Sequence, residues 1–401
     1  MPTFEEARAT ILDHVTVLGS ESVPVLAAVG RVLAADVEAP WDMPLWDNSA
    51  MDGYAVRAAD TTAAAGLRIA GYIPAGSHSS DVVAAGTAAK ILTGAPLPPG
   101  ADAVVPVEDT DARDGSVLVR QPVRPGAHVR RKGEDIRASE TILRAGTVIG
   151  PSEVSLLASF SRLSIPVVRR PRVAILSTGD ELVEAGGALA PGKIYDSNAL
   201  AVAAAVLQLG GEPVQLGIAR DDRASLRALL VEGLRADALV TSAGVSMGDR
   251  DLVREVLHEL SVRQIFWKVD IKPGRPTAFA VHGSKPVFSL PGNPVSTLVT
   301  FEQFVRPALL KMMGHRTVLR PVVRAVFQED FPRKPGRVSF LRVRLERRNG
   351  GLLAWTSGNQ DTGILKTMLQ ADGIAVIPAD WGSVGAGDLV DVQMLRGGVE
   401  A

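Results

Sequence analysis

The sequence predicts a multidomain fold of the α/β plus β class. Three observations carry that expectation. The middle third alternates apolar strand-like runs with helical stretches. The flanking regions alternate apolar and polar residues between many Gly and Pro turns. The 401 residues also exceed what one core usually organises, at about 150 residues per domain. Strand–helix alternation packs as a parallel sheet covered by helices on both faces, a three-layer α/β domain.

Taken in order, residues 3–18 read as a helix, with Phe4, Ala7, Ile11, Val15 and Leu18 at helical spacing. Residues 22–38 read as a short strand or loop and then a short helix. PWDMPLWDNSAMDGYAV, from Pro40, reads as a loop that carries polar side chains for a purpose. Residues 54–136 have the period-two texture of a small all-β domain. Helical character returns at PSEVSLLASFS. RVAILST (172–178), EPVQLGIARDD (212–222) and DALVTSAG (237–244) are strands. NALAVAAAVLQLGG (198–211), ASLRALLVEGLR (224–235) and DRDLVREVLHEL (249–260) are helices. FWKVDIKPGRPTAFAVHG reads as an antiparallel hairpin. PVFSLPGNPVSTLVTFEQFVRPALLKMMG reads as a strand, a turn and one long helix. After His315 a second small β domain follows.

Composition excludes several function classes. Lys and Arg number 43 against 44 Asp and Glu, a formal net charge of −1, which argues against a general nucleic-acid binder. There is no cysteine, so disulfides, thiolate nucleophiles, iron–sulfur clusters and Cys-type zinc sites are out. The six histidines are scattered without metal-type pairing. The most apolar run, Ala199–Leu209, is too short to span a bilayer, and the N-terminus lacks a basic-then-apolar signal. A cytoplasmic soluble protein is expected.

Two familiar motifs compete with a collective signal. Gly187–Lys193 spells G-x-x-x-x-G-K, but Ile194 stands where a P-loop needs Ser or Thr, so a plain loop is preferred. Gly244–Gly248 spells G-x-S-x-G between a strand and a helix, as a nucleophile elbow would. A small-residue turn is the simpler reading there. The collective signal is the set of strand ends. Ligands of open parallel sheets bind at the carboxyl ends of the strands. Those ends carry Gly179, Asp180 and Glu181, then Asp221, then Ser242, Gly244, Ser246 and Asp251, then Pro291, Asn293 and Pro294. Acids suit magnesium, and Gly, Ser and a helix start suit phosphate. Lys268 and Lys272, four apart, would share one face of a strand, with Arg275 close behind. Asp52, Thr93 and Asp135 are ambiguous on local grounds, each equally a turn residue.

The motifs WDNSAMDGYAVR, ILTGAPLPPGADAVVPVED, RRKGEDI, ILSTGDEL, PGKIYDSN, SAGVSMGDRD, IKPGRP and SLPGNPVS together resemble the MoeA-type molybdopterin molybdenumtransferases, a group that includes the E domain of gephyrin. The resemblance runs along essentially the whole chain. It implies an elongated, four-part subunit and a homodimer. The parts would be an α/β molybdopterin-binding domain (1–20 and 166–314), a mixed linker domain (21–40 and 137–165), a β-rich domain (41–136) and a C-terminal β-barrel-like domain (315–401). It also implies the reaction. Adenylylated molybdopterin and molybdate are the substrates, magnesium assists, AMP is released and molybdenum stays on the pterin dithiolene. The molybdopterin adenylyltransferase is a candidate partner. Adenylylation itself and a non-catalytic scaffold role are the alternatives.

By motif, the resemblance assigns catalysis to Asp52, Thr93, Asp135, Glu181, Asp221, Asp251, Lys268 and Lys272. It assigns magnesium to Glu181, Asp221 and Asp251, and substrate binding to Arg275, Pro291, Pro294 and Arg342. Gly179, Asp180, Ser242, Gly244, Ser246 and Asn293 join the binding set from the strand ends. Because Asp52, Thr93 and Asp135 belong to another domain than Glu181, a site shared between domains is expected. Three positions depart from the family pattern. Ala243 replaces a Gly, Arg275 replaces a Lys, and Asp361-Thr362 replaces a Gly-Ser pair. Thr362 would supply the missing hydroxyl, while Asp361 would add a negative charge beside an anion site.

Overall fold

Along the run 173–176 alternate side chains enter two different cores, Val173 and Ile175 one, Ala174 and Leu176 the other. A strand buried on both faces needs no polar alternation, which is why it reads as a continuous apolar run. This strand, Arg172–Thr178, lies second in a six-stranded sheet. Across the sheet the order is Glu212–Ala219, Arg172–Thr178, Ala238–Ser242, Lys285–Leu290, Ala278–His282, Arg263–Phe266. The first four strands are parallel and the last two antiparallel. The computed structural model describes residues 1–62, 66–220, 222–242, 252–348 and 350–396. Two compact units are present: residues 1–34, 148–150 and 164–401, and residues 35–147 and 151–163.

In the larger unit, helices cover both sheet faces. Helix Ser197–Gln208 contributes Val202, Ala203 and Val206 to one core, and helix Phe4–His14 adds Phe4, Ala7 and Ile11. On the other face, helix Arg223–Gly233 contributes Leu226 and Leu230, and helix Leu252–Glu259 contributes Val253, Val256 and Leu257. Side-chain caps start three of these helices. Asp196 accepts from the Ala199 amide, Asp222 from the Ser225 amide, and Thr3 and Glu6 form a reciprocal capping box.

Two details differ from the sequence expectation. The long final helix is not uniform. It runs Pro294–Thr300, widens into a π turn at Phe301–Val305, and resumes as Arg306–Met312. Pro307 has no amide to donate and crowds the carbonyl four residues back, so the wider turn relieves it. The segment 263–282 is also not a simple hairpin. Arg263–Phe266 and Ala278–His282 do pair antiparallel. Between them the chain leaves the sheet, and Ile271–Lys272 pairs in parallel with Val338–Ser339 of the C-terminal domain.

That C-terminal domain is a closed barrel. Strands Val338–Arg348, Gly351–Thr356, Val322–Phe327, Leu389–Met394 and Gly373–Ile377 pair in that order, and the last pairs back onto the first. Closure leaves these strands no free edge. The barrel is tied to the α/β domain by a two-pronged Arg320–Glu302 ion pair at 3.0 and 3.1 Å and by Gln303 donating to Gln393 at 2.6 Å.

The smaller unit holds a six-stranded sheet ordered Ala103–Pro106, Gly53–Val56, Thr87–Ile91, Leu67–Ile73, Ser116–Val119, Thr110–Arg113. Gly53 faces Pro106 in its register, and a methyl group there would sit 2.0 Å from the Val105 carbonyl oxygen. Gly53→Ala must therefore separate two central strands. It is expected to lower stability by about 3 kcal/mol, read as a lower urea midpoint at unchanged m-value.

Candidate active site

Asp52 and Thr93, singled out separately 41 residues apart, are in direct contact. The Thr93 amide and hydroxyl both donate to Asp52 Oδ1, each at 2.7 Å. Backbone bonds fix the meeting. The Ser49 amide donates to the Ala95 carbonyl, and the Gly94 amide to the Ser49 carbonyl. The SAMDGY and LTGA segments are thereby clamped together. Both functional side chains are exposed. The Thr93 amide, then its hydroxyl, stabilise the charged carboxylate and hold the Asp52 pKa below its ordinary value. Asp52 is thus a permanent anion at neutral pH, suited to hold a cation or accept a proton. Thr93→Val keeps the amide bond and loses the hydroxyl bond. Its Asp52 carboxyl is expected to titrate at higher pH than in wild type, observed by carbon NMR of that carboxyl.

The RRKGEDI segment is bound to the same strand pair, since Val129–Arg130 pairs with Asn48–Ser49. Its turn is held by two acids that sequence reasoning missed. Asp47 accepts from Arg131 at 2.6 Å and from the Lys132 amide at 2.8 Å. Asp42 accepts from the Ala138 amide at 2.8 Å and pairs with Lys132 at 3.4 Å. Both carboxyls are pulled below the usual range, chiefly by those amides. Asp135 follows on this turn, exposed, with its amide on the Met43 carbonyl. The signal for the missed acids was the repeated Trp-Asp pair at 41–42 and 46–47.

In the larger unit, the carboxyl edge of the parallel strands gathers a second set. Gly179 has φ +137°, and a methyl group there would lie 2.4 Å from Glu181 Oε2. The Glu181 carboxylate thus folds back over a glycine that nothing else could replace. Asp180 and Glu181 are exposed. Lys193 donates to the Asp180 carbonyl at 2.5 Å, and the Ile194 amide to the Glu181 carbonyl at 2.9 Å. The G-x-x-x-x-G-K decoy is therefore a loop that braces this turn, and the helix begins only at Ser197. Next to it, where the strand order reverses, Ser177 and Ser242 join hydroxyls at 2.8 Å, both buried.

The PGNP turn completes the edge. Asn198 donates to the Gly292 carbonyl at 2.8 Å, and the Thr297 hydroxyl to the Pro291 carbonyl at 2.5 Å. Pro294 opens the helix, where its missing amide costs nothing. Asn293 does not cap that helix with its side chain. Its amide nitrogen instead donates to the Thr362 hydroxyl at 3.0 Å, and the Val295 amide donates to the Thr362 carbonyl at 3.2 Å. Thr362 of the barrel is thus delivered to the ligand edge of the α/β domain.

The lysines are arranged differently from expectation. The strand ends at Phe266, so Lys268 lies in the connecting loop while Lys272 lies on the strand that joins the barrel. They share no strand face. Lys268 is half-buried, and Lys272 and Arg275 are exposed. Asp221, Gly244, Ser246 and Asp251 lie outside the described residues, as does Ala243.

Comparison with known proteins follows this geometry closely. Residues 2–161 match the MoeA N-terminal region (domain I and II), 174–311 a probable molybdopterin binding domain, and 324–395 the MoeA C-terminal region (domain IV). The chain belongs to the MoeA family. It is 38% identical over 403 residues to molybdopterin molybdenumtransferase 2 of Mycobacterium tuberculosis H37Rv, covering 98% of this chain and 99% of that one. It is 34% identical over 399 residues to the molybdopterin molybdenumtransferase of Haemophilus influenzae, covering 98% of each. A solved molybdopterin biosynthesis MoeA protein from Pyrococcus horikosii superposes with a TM-score of 0.87 at 35% identity, covering 98% of this chain and 99% of that one.

One departure from the MoeA pattern now has a physical account. Asp361 Oδ1 accepts from the Gly363 amide at 2.8 Å, turning its charge into its own loop. Behind it lies Arg342, only 1% exposed. Arg342 donates to the carbonyls of Asn359 and Asp361 at 3.2 and 3.1 Å and to the Thr367 hydroxyl at 3.0 Å. Burial lowers its pKa to about 10, and Asp361 opposes that shift. The acid that would burden an anion site is thus balanced by a buried cation. The guanidinium is directed at the loop that carries Thr362.

Proposed function

We propose that this protein inserts molybdenum from molybdate into adenylylated molybdopterin and releases AMP, the last assembly step of the molybdenum cofactor. The observation that carries the reading is the match along the whole chain to molybdopterin molybdenumtransferases. The geometry supports it. An anionic Asp52 and an exposed Glu181 supply oxygen donors, and Lys272 and Arg275 supply exposed cations for phosphate and molybdate.

Magnesium fits this donor set in one particular way. Among the described residues no three His, Asp or Glu side chains gather to hold a metal. Magnesium commonly takes one or two carboxylates and fills the rest with water and substrate phosphate. Glu181 would hold it, with Asp221 and Asp251 as the further proposed ligands. Bound there, it would neutralise charge on the phosphoanhydride. Thr93 keeps Asp52 ionised, and Asn293 with Thr362 presents hydroxyl and amide groups to the substrate. Asp135 lies on the braced turn beside the Asp52 strand pair and joins the same group.

Among the described residues no helix is long and apolar enough to cross a membrane. The reading places the protein in the cytoplasm as a homodimer that receives its substrate from the adenylyltransferase. The dimer is testable by mixing inactive subunits. Equal amounts of Asp52→Ala and Glu181→Ala chains, refolded together, are expected to regain about a quarter of wild-type turnover. Half of the dimers are then mixed, and each mixed dimer holds one intact shared site. No recovery would reject a site shared between copies. The function itself is tested with adenylylated molybdopterin, magnesium and molybdate, following AMP and cofactor together. AMP appearing only from ATP and bare molybdopterin would transfer the assignment to adenylylation. Neither reaction, with partner binding retained, would favour the scaffold role.

A further inference from the structure

The tetrapeptide Lys272–Arg275, K-P-G-R, recurs in the barrel as Lys334–Arg337. Only the first copy belongs to the motifs of the site. The fold brings the end of the second beside it. Ile271 pairs with Val338 and Lys272 with Ser339, in parallel. One step back in that register Arg337 meets Asp270, and their side chains lie 3.9 Å apart. Ile271 and Val338 both enter the same core. Alternation along a strand then puts Asp270, Lys272 and Arg337 together on the opposite face. Lys272 and Arg337 stand two residues out of register, roughly 8 Å apart at the backbone, a gap that two long side chains and a small anion fill. Arg275 turns back to the same place, since its carbonyl accepts from the Val269 amide at 3.0 Å, next to Asp270.

A braced turn presents Arg337. The Arg333 guanidinium donates to the Arg337 carbonyl and, at 2.6 Å, to the Pro378 carbonyl. The Gly336 amide donates to the Ala379 carbonyl at 2.6 Å. These bonds fix the backbone without using the Arg337 side chain. Its contact with Asp270 is loose. At 3.9 Å it is too long for a hydrogen bond, and the two side chains are 45% and 35% exposed. An ion pair of that kind stabilises little. Lys272 and Arg275 are exposed and have no side-chain partner among the described residues. One weakly held carboxylate therefore stands among three cations. A dianion that offers two oxygens to the guanidinium fork is the stronger acceptor.

We infer that Arg337 is a further binding residue of the reaction, gripping a tetrahedral oxyanion together with Lys272, and that Asp270 is the internal acid this anion displaces. The inference rests on the molybdenum-insertion reading, which supplies two such groups, molybdate and the phosphoryl groups of the substrate. Asp270 competes with the anion for Arg337. It thereby lowers affinity and favours release.

The test uses the full-length protein and two probes, sodium molybdate and AMP, each followed by titration calorimetry. Arg337→Gln is expected to weaken binding of at least one probe about tenfold. It should also raise KM for the matching substrate, molybdate or adenylylated molybdopterin, more than it lowers kcat. The probe affected names the anion. Asp270→Asn is expected to act in the opposite sense and tighten the same probe about threefold. A pair with a merely structural role would not give opposite signs. Arg337→Lys should recover part of the loss. Every variant keeps the residue-337 carbonyl that Arg333 holds, and thermal melts report which of them fold. Should Arg337→Gln fail to fold, the sign of the Asp270→Asn effect decides alone. Unchanged affinity and KM in folded Arg337→Gln, or unchanged or weaker binding in Asp270→Asn, would overturn the assignment while wild-type turnover still stood. Absent wild-type turnover, with probe binding still dependent on Arg337, would remove the insertion reading and leave the anion site.

Discussion

Asp52→Ala is expected to reduce AMP release from adenylylated molybdopterin at least a hundredfold, with the thermal midpoint unchanged. The size follows from the role. A positioned carboxylate that takes a proton or anchors a cation in the reacting complex contributes about 10²–10⁴ in rate. The unchanged fold follows from the setting. Asp52 is exposed, and among the described residues its carboxylate is bonded only to Thr93. The strands on either side are tied by backbone bonds that alanine keeps, including the Val107 amide on the Asp52 carbonyl. Asp52→Asn separates charge from shape. Its amide oxygen can still accept both Thr93 bonds, so an equal loss in Asn and Ala assigns the effect to the negative charge. Near-wild-type turnover in Asp52→Ala would remove this residue from the mechanism. Glu181→Ala should give a loss of the same order if it holds magnesium as proposed, and the fold should survive it because Glu181 is exposed.

The two carboxylates also mark what was legible in the sequence. The central strands were readable because Val173 through Leu176 are buried on both faces, and only a sheet with two covered faces needs that. The helices were readable because their apolar faces and their Asp caps agree, as at Asp196 and Asp222. Which strands pair was not readable. Period two shows that a residue alternates between faces, and carries no information about its neighbour. Barrel closure between Gly373–Ile377 and Val338–Arg348 depends on such a pairing. The two-residue excursion at Ile271–Lys272 is too short to leave a periodic trace, and it undid the inference that Lys268 and Lys272 share a face. Site residues were identifiable by type but not by contact. Nothing in the sequence sets Thr93 on Asp52, or Thr362 on Asn293, because both contacts are made by turns brought together through distant strands.

Arg342 is where type and contact diverge furthest, and it yields the largest stability effect. The family resemblance puts it in the substrate-binding set, and in the fold its donors are directed at Thr367 and at the carbonyls of 359 and 361. Arg342→Met is expected to cost about 3 kcal/mol in urea unfolding, from three charge-assisted bonds lost and a buried volume imperfectly refilled. Arg342→Lys should fail to rescue it. A single ammonium cannot reach a hydroxyl and two carbonyls that a planar guanidinium spans at once. The functional consequence passes through the loop. With the guanidinium gone, residues 359–362 keep the Gln360 bonds to the residue-342 backbone but lose their side-chain anchor, and the Thr362 hydroxyl is held less firmly against Asn293. Amide exchange at Gly363, whose partner is Asp361, should then quicken in both variants. The pH dependence carries a definite sign. The folded pKa of about 10 lies below the ordinary arginine value, so the unfolded chain binds this proton more tightly. On this group's account stability rises as pH climbs past about 10, and that rise should vanish in Arg342→Met. If Arg342→Lys instead keeps both the urea midpoint and the exchange protection, the guanidinium is not the brace of the loop, and a direct encounter with the substrate becomes its better role.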